Sequence, residues 1–302
     1  MATFTEFCCR SGGSNLHAGT LLGDTTEPGT APSFAYDGVF AVNTFTVVGG
    51  RQGGSTGNPQ ADGVTAGMFV HCNDGAAVGR LARIASVTSS TIVLDGTATV
   101  GSGTGAVVAN VGGAWVGPNG ATPFLSSYPS SAVTNVAGNP VRVNLKNDQI
   151  LSITALIVMG SGDVAFIRGY TAAYGDGGRA VLDGGTSGAS YVLLSLGASA
   201  PPTLIQDMEF RNNGASGSSA AVKADNNGSI FVRCVAHDVR GAGFQSTIHA
   251  TYVECEAYAC NQSNTASTGA FHGSAGDFVA CLRCIAHDNT GSNTSGFSRA
   301  VA

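Results

Sequence analysis

Three stretches near the C-terminus repeat one pattern in different residues. They are FVRCVAHDVRGAGF from Phe231, YVECEAYACNQSNTASTGAF from Tyr252 and CLRCIAHDNTGSNTSGF from Cys281. Aligned, they put Cys234, Cys255 and Cys284 in one column, Val235, Glu256 and Ile285 in the next, and Phe244, Phe271 and Phe297 in a third. The cysteines are 21 and 29 residues apart. A fixed column repeated with loops of variable length is the signature of a solenoid, in which each repeat buries its apolar face against its neighbour. Met208, 26 residues before Cys234, extends the cysteine column, and Val222 extends the phenylalanine column.

Each repeat holds two or three short strands with corners rich in Asn, Gly, Asp and Ser. That is too long for a hexapeptide helix, and the G-G-x-G-x-D nonapeptide is missing. The expected fold is therefore all-β: a right-handed parallel β-helix over residues 140–302, with Met208/Cys234/Cys255/Cys284 and Val222/Phe244/Phe271/Phe297 as inward ladders. No stretch shows a capped 3.6-residue period, so little helix is expected. Residues 1–115 carry short apolar runs about ten residues apart, bounded by Asp-Gly and Ser-Ser turns. This spacing predicts a small β barrel or sandwich, a docking or assembly module. Residues 116–139 read as a junction next to Trp115, which is expected to be a packed plug between the domains.

Composition narrows the functions. Charged residues are only 11% of the chain, net charge is −5, and the only lysines are Lys146 and Lys223. No basic stripe can neutralise a phosphate backbone, so nucleic-acid binding is not expected. No apolar run reaches the roughly 18 residues of a membrane span. The N-terminus lacks a basic region followed by an apolar one, so a conventional signal peptide is not expected.

The stretch FIRGYTAAYGDGGRAVLDGG, Phe166 to Gly185, followed by the C-x-A-[HY] repeats, resembles right-handed parallel β-helix proteins of the pectate-lyase-like superfamily. RSGGSNLHAGT, RIASVTSSTIVLDGTAT and GGAWVGPNGATPF are similar to members found in phage and environmental bacterial sequences. The resemblance implies the β-helix fold. It also implies a virion or extracellular setting, in which the chain is a non-enzymatic fibre, spike or decoration subunit meeting other virion proteins or surface glycans. The last repeat reaches Phe297 without a polar cap after it, so a homo-oligomer is expected, with a trimer favoured for a virion fibre. The alternative in the same superfamily is a polysaccharide lyase or hydrolase, or a carbohydrate-binding adhesin.

The enzymatic alternative needs residues that can be looked for. The hydrolases' closely spaced Asp residues, Gly-His-Gly and Arg-x-Lys strings are absent, and Lys223 with Asp225 lacks the acidic cluster a lyase's calcium needs. His237-Asp238 and His287-Asp288 recur at one corner, but Tyr258-Ala259 replaces the pair between them. This argues for structural corners, with Asp capping local N–H groups. Cys281-Leu-Arg-Cys284 is a C-x-x-C, yet residues three apart on an extended strand face opposite sides, so these thiols should not share a metal. Neighbouring strands lie about 4.8 Å apart, whereas disulfide Cβ atoms prefer about 3.8 Å. Cys234, Cys255 and Cys284 are thus expected to be reduced. Asp176-Gly-Gly-Arg179 and Asp183-Gly-Gly185 read as tight corners rather than phosphate loops. The sequons at Asn227, Asn261 and Asn293 are expected at exposed corners. The residues left as surface candidates are Tyr170, Tyr174, Asp176, His237, Asp238, His287 and Asp288; no cofactor or metal is implied.

Overall fold

The computed structural model describes residues 4–14, 17–22, 27–41, 43–52, 55–73, 80–95, 103–116, 140–153, 156–159, 166–185, 192–213, 220–262, 269–274, 278–290 and 296–298. The chain is nearly all β, with 2% helix. It divides into two compact units, one built from residues up to 116 with 140–144, the other from residue 145 onward. Residues 117–139 of the expected junction lie outside the described residues.

In the N-terminal unit, β1 (Thr5–Cys9) is followed by β2 (Phe34–Ala41), β3 (Thr44–Gln52), a one-turn helix (Pro59–Asp62), β4 (Phe69–Asn73), β5 (Arg80–Val87), β6 (Thr91–Leu94) and β7 (Gly103–Val111). The strands β2-β3-β6-β5-β4-β7 close into a six-stranded barrel, which leaves it no free sheet edge. Its interior is Tyr36, Phe40, Phe45, Ile84, Ile92, Leu94 and their neighbours. Gly38 is required there, because a Cβ would collide with the Phe45 ring and the Thr46 carbonyl. β8 (Val141–Lys146) lies beside β1. Their contact is fixed by the buried Glu6, which accepts from Arg142 at 3.0 Å and Asn144 at 2.8 Å. Trp115 is buried within this unit. Its ring stacks on Phe7 at 5.1 Å, and its indole N–H donates to the His17 carbonyl at 2.9 Å.

The C-terminal unit holds three parallel sheets. The first contains β9 (Ile150–Ser152), β12 (Ala180–Asp183), β15 (Met208–Arg211), β18 (Val235–His237), β21 (Glu256–Tyr258) and β24 (Ile285–His287). The second contains β10 (Ile157–Met159), β13 (Leu194–Leu196), β16 (Val222–Ala224), β19 (Phe244–Ser246), β22 (Phe271–Gly273) and β25 (Phe297–Ser298). The third contains β11 (Phe166–Tyr170), β14 (Leu204–Gln206), β17 (Asn227–Val232), β20 (His249–Val253) and β23 (Phe278–Leu282). The chain visits first, second and third sheets in turn, and each visit adds a strand parallel to the one before.

The register carries the columns. Val222 pairs with Phe244, Phe244 with Phe271 and Phe271 with Phe297. The phenylalanine rings stack face to face at 5.2 and 5.1 Å. Ile205, Phe231, Tyr252 and Cys281 form a second inward column. Met208, Cys234 and Cys255 are fully buried or nearly so, while Cys284 is half-buried.

The corners depend on left-handed backbone at residues other than glycine. Asp207, Arg233, Glu254 and Arg283 have φ of 54°, 51°, 53° and 55°. Asn212, Asp238, Ala259 and Asp288 have φ of 53°, 52°, 48° and 50°. Such angles are uncommon outside Gly, Asn and Asp. Their recurrence in each circuit from Asp207 onward means that the stacked strands on either side impose them. Side-chain charge helps at the first corner. Arg233 clamps Asp207 with two bonds of 2.8 Å, and Arg283 reaches Glu254 at 3.3 Å.

Candidate functional site

The outer face of the first sheet concentrates the titratable side chains. One outward column runs Asp183, Arg211, His237, Tyr258, His287. His237 and Tyr258 stack at 4.7 Å with planes 3° apart, and Tyr258 and His287 at 5.1 Å and 12°. The tyrosine that interrupts the two His-Asp pairs in the sequence thus joins their rings in space.

Each imidazole lies between two carboxylates. His237 Nδ1 is 2.7 Å from Asp238 and its Nε2 is 3.1 Å from Glu209. His287 Nδ1 is 2.8 Å from Asp288 and its Nε2 is 2.9 Å from Glu256. The aspartate comes from the same corner and the glutamate from the neighbouring strand of the preceding circuit. Glu256, then Asp288, raise the pKa of His287. Neither ring has a nitrogen left to take a substrate proton or ligate a metal. The aspartates do not cap N–H groups as expected; they bond the imidazoles, because the left-handed residue turns its side chain back over its neighbour.

Asp176 is similarly committed. Its carboxylate accepts from the N–H groups of Thr171, Ala172, Ala173 and Gly178 at 2.6–3.2 Å. Burial works against the charge, but these N–H groups outweigh it and hold the pKa well below the carboxylate range. Gly175 and Gly177, at φ of 85° and 83°, let the loop wrap around this side chain. Tyr170 is not at the surface. It ends β11 fully buried, with Tyr174 edge-on at 4.9 Å and partly exposed. Lys223 pairs with Asp225 at 2.8 Å, and Asp225 also accepts from Thr247 at 2.7 Å.

The thiols follow one rule. Cys234 donates to the carbonyl of Val232 and to that of Ile205 in the preceding circuit; Cys255 does the same with Val253 and Phe231, and Cys284 with Leu282 and Tyr252. None of the eight cysteines forms a disulfide. The expectation that Cys281 and Cys284 face opposite sides fails, because Arg283 between them is left-handed and swings Cys284 back. Cys234, then Cys284 and burial, push the pKa of Cys255 up, and Cys284, then burial, pushes that of Cys281 up. Even so, no group of three or more His, Cys, Asp or Glu side chains among the described residues is arranged to hold a metal ion. Asn261, expected at an exposed corner, is buried because it turns left-handed into the stack, whereas Asn227 is exposed. Asn293 lies outside the described residues.

Sequence reasoning missed Glu209 and Glu256, and missed the corner column Asp207, Arg233, Glu254, Arg283. That column sits one residue before Met208 and the three cysteines. Its signal was alternation of charge sign at the same spacings. No family model, curated protein or solved structure matches the chain. No helix among the described residues is long and apolar enough to cross a membrane.

Proposed function

We propose that the C-terminal unit is a right-handed parallel β-helix of the pectate-lyase-like kind, and that the protein is a non-enzymatic structural subunit. In this reading it serves outside the cell or on a virion, as a fibre, spike or decoration, and the barrel is its docking module. The three-sheet circuit with in-register columns supports the coil. The functional reading is carried by how the ionisable groups are used. Both nitrogens of His237 and His287 meet carboxylates, Asp176 is filled by backbone N–H groups, and Lys223 is paired. Acid–base catalysis needs a group within reach of the substrate proton and free to exchange it. Here the histidines join neighbouring strands through Glu209 and Glu256, while Asp176 and Lys223 are bonded within their own segments. Stacked coils also keep interior backbone groups paired, which suits an exposed, protease-rich setting.

Two measurements test this reading. Purified protein incubated with acidic and neutral polysaccharides should release no unsaturated or reducing ends. Turnover abolished by His237→Ala or His287→Ala would overturn it. Gold-labelled antibody against the barrel should decorate assembled particles or the cell exterior; label confined to the cytoplasm would contradict the location.

A further inference from the structure

The three outer faces of the C-terminal unit differ in chemistry. The first sheet presents the carboxylate–imidazole column. The second presents Lys223, Gln245 and His272. The third presents aliphatic groups. One outward column there runs Leu204, Ile230, Thr251, Ala280, and the next runs Gln206, Val232, Val253, Leu282, aliphatic at six of eight positions. Ile230 is 41% exposed and Leu282 54%. A sheet face open to water normally alternates apolar-in with polar-out. Aliphatic residues on the outward side over successive strands mark an association surface.

The rim of this face identifies the occupant. The corner residues at the C-terminal ends of its strands alternate in sign, Asp207, Arg233, Glu254, Arg283, and pair internally. Two acids and two bases leave the rim neutral in a chain of net charge −5, so a second copy meets no net repulsion there. Asp207 is buried beneath Arg233, so the steps open to a second copy are Arg233, Glu254 and Arg283, and a copy running the other way sets Arg233 opposite Glu254. We propose that the outer face of the third sheet is a self-association surface, on which a second copy packs about a two-fold axis parallel to the strands.

That axis keeps strand direction and reverses the order of the circuits, so rim meets rim. Arg233 then faces Glu254 of the second copy, and Arg283 faces the Asp207 end. Both Arg233 and Glu254 have side chains 42% exposed. An axis along the stack would instead bring the rim against the opposite strand ends, around Asn227, His249 and Phe278. The interface is isologous, the same patch on both copies. It is independent of the functional reading above and needs only the stacked third sheet. Polysaccharide turnover would defeat that reading and leave this interface standing, whereas a monomer would defeat only the interface.

The test is the mass of the full chain by light scattering and sedimentation across a concentration series. The wild type should reach two copies. Ile230→Asp should weaken the dimer at least tenfold with an unchanged far-UV spectrum, and Gln245→Asp on the second sheet should leave it intact. If Ile230→Asp loses its β spectrum, Leu282→Lys, at a more exposed position, takes its place. Orientation is read in a Cys284→Ser background by mixing Gln206→Cys with Leu282→Cys copies and a short bismaleimide; a 206–282 crosslink between copies is expected. A monomer at high concentration, a trimer, a folded Ile230→Asp that still dimerises, or crosslinking only of 206 to 206 would each overturn the proposal.

Discussion

Truncating Phe244 to alanine should cost more than any other single change in the phenylalanine column. Phe244 is fully buried. Its ring lies 5.2 Å from Phe271, 5.2 Å from Tyr252, 6.0 Å from Phe231 and 6.4 Å from Phe210. A buried Phe→Ala change typically costs about 3–5 kcal/mol, and more where the site cannot collapse. Ring pairs of this geometry add about 0.5–1.5 kcal/mol each beyond area burial. Backbone pairing on both sides of β19 prevents collapse, so the expected loss is about 4–5 kcal/mol. Phe297 is the internal control. It stacks on Phe271 at 5.1 Å but is 38% exposed, so Phe297→Ala should cost about 1–2 kcal/mol. Urea unfolding followed by far-UV circular dichroism supplies both numbers. A loss below about 2 kcal/mol for Phe244→Ala, or equal losses for the two variants, would refute the stack as the source of stability.

Other outcomes follow from the same contacts. Asp207→Asn keeps a residue that accepts left-handed backbone but removes the charge beneath Arg233; since Arg233 is partly exposed, about 1–2 kcal/mol should be lost in urea unfolding. The raised pKa of His287 means the folded state binds its proton more tightly than the unfolded one. Its contribution is therefore fully present below about pH 6.5, the unfolded value, and is lost as pH rises through the higher folded value. His287→Gln should flatten the alkaline side of the stability profile, and the ring's proton resonance should titrate above the free-histidine midpoint. Asp176 has the opposite sign: its lowered pKa gives stability present above about pH 4 and lost as pH falls through the folded value, and Asp176→Asn should blunt acid unfolding. Iodoacetamide on the native protein, read by mass spectrometry, should label the half-buried Cys284 first and leave Cys234, Cys255 and Cys260 untouched until denaturant is added.

The inward columns were legible because cysteine and phenylalanine are distinctive and recur at matching intervals. The barrel was legible from strand spacing and turn dipeptides, although its closure depends on β7 pairing with both β2 and β4, which no local pattern encodes. The corners were harder. Asp207, Arg233, Glu254 and Arg283 share no residue type, only a conformation that three of their identities disfavour and an alternation of sign that matters only once they are stacked. The same conformation defeated the strand rule at Cys281 and Cys284, because one left-handed residue cancels the two-residue alternation of side chains. The carboxylate partners of the histidines were invisible for another reason. Glu209 precedes His237 by 28 residues and Glu256 precedes His287 by 31, and only the register shows that these positions touch.

The most direct test of the stacked, in-register account is a set of nuclear Overhauser contacts among the phenylalanine rings in selectively labelled protein. Phe244–Phe271 and Phe271–Phe297 should give strong ring-to-ring contacts, matching separations of 5.2 and 5.1 Å. Phe244 and Phe297, two circuits apart at about 10 Å, should give none. A direct Phe244–Phe297 contact, or no contact from Phe271 to either ring, would contradict it.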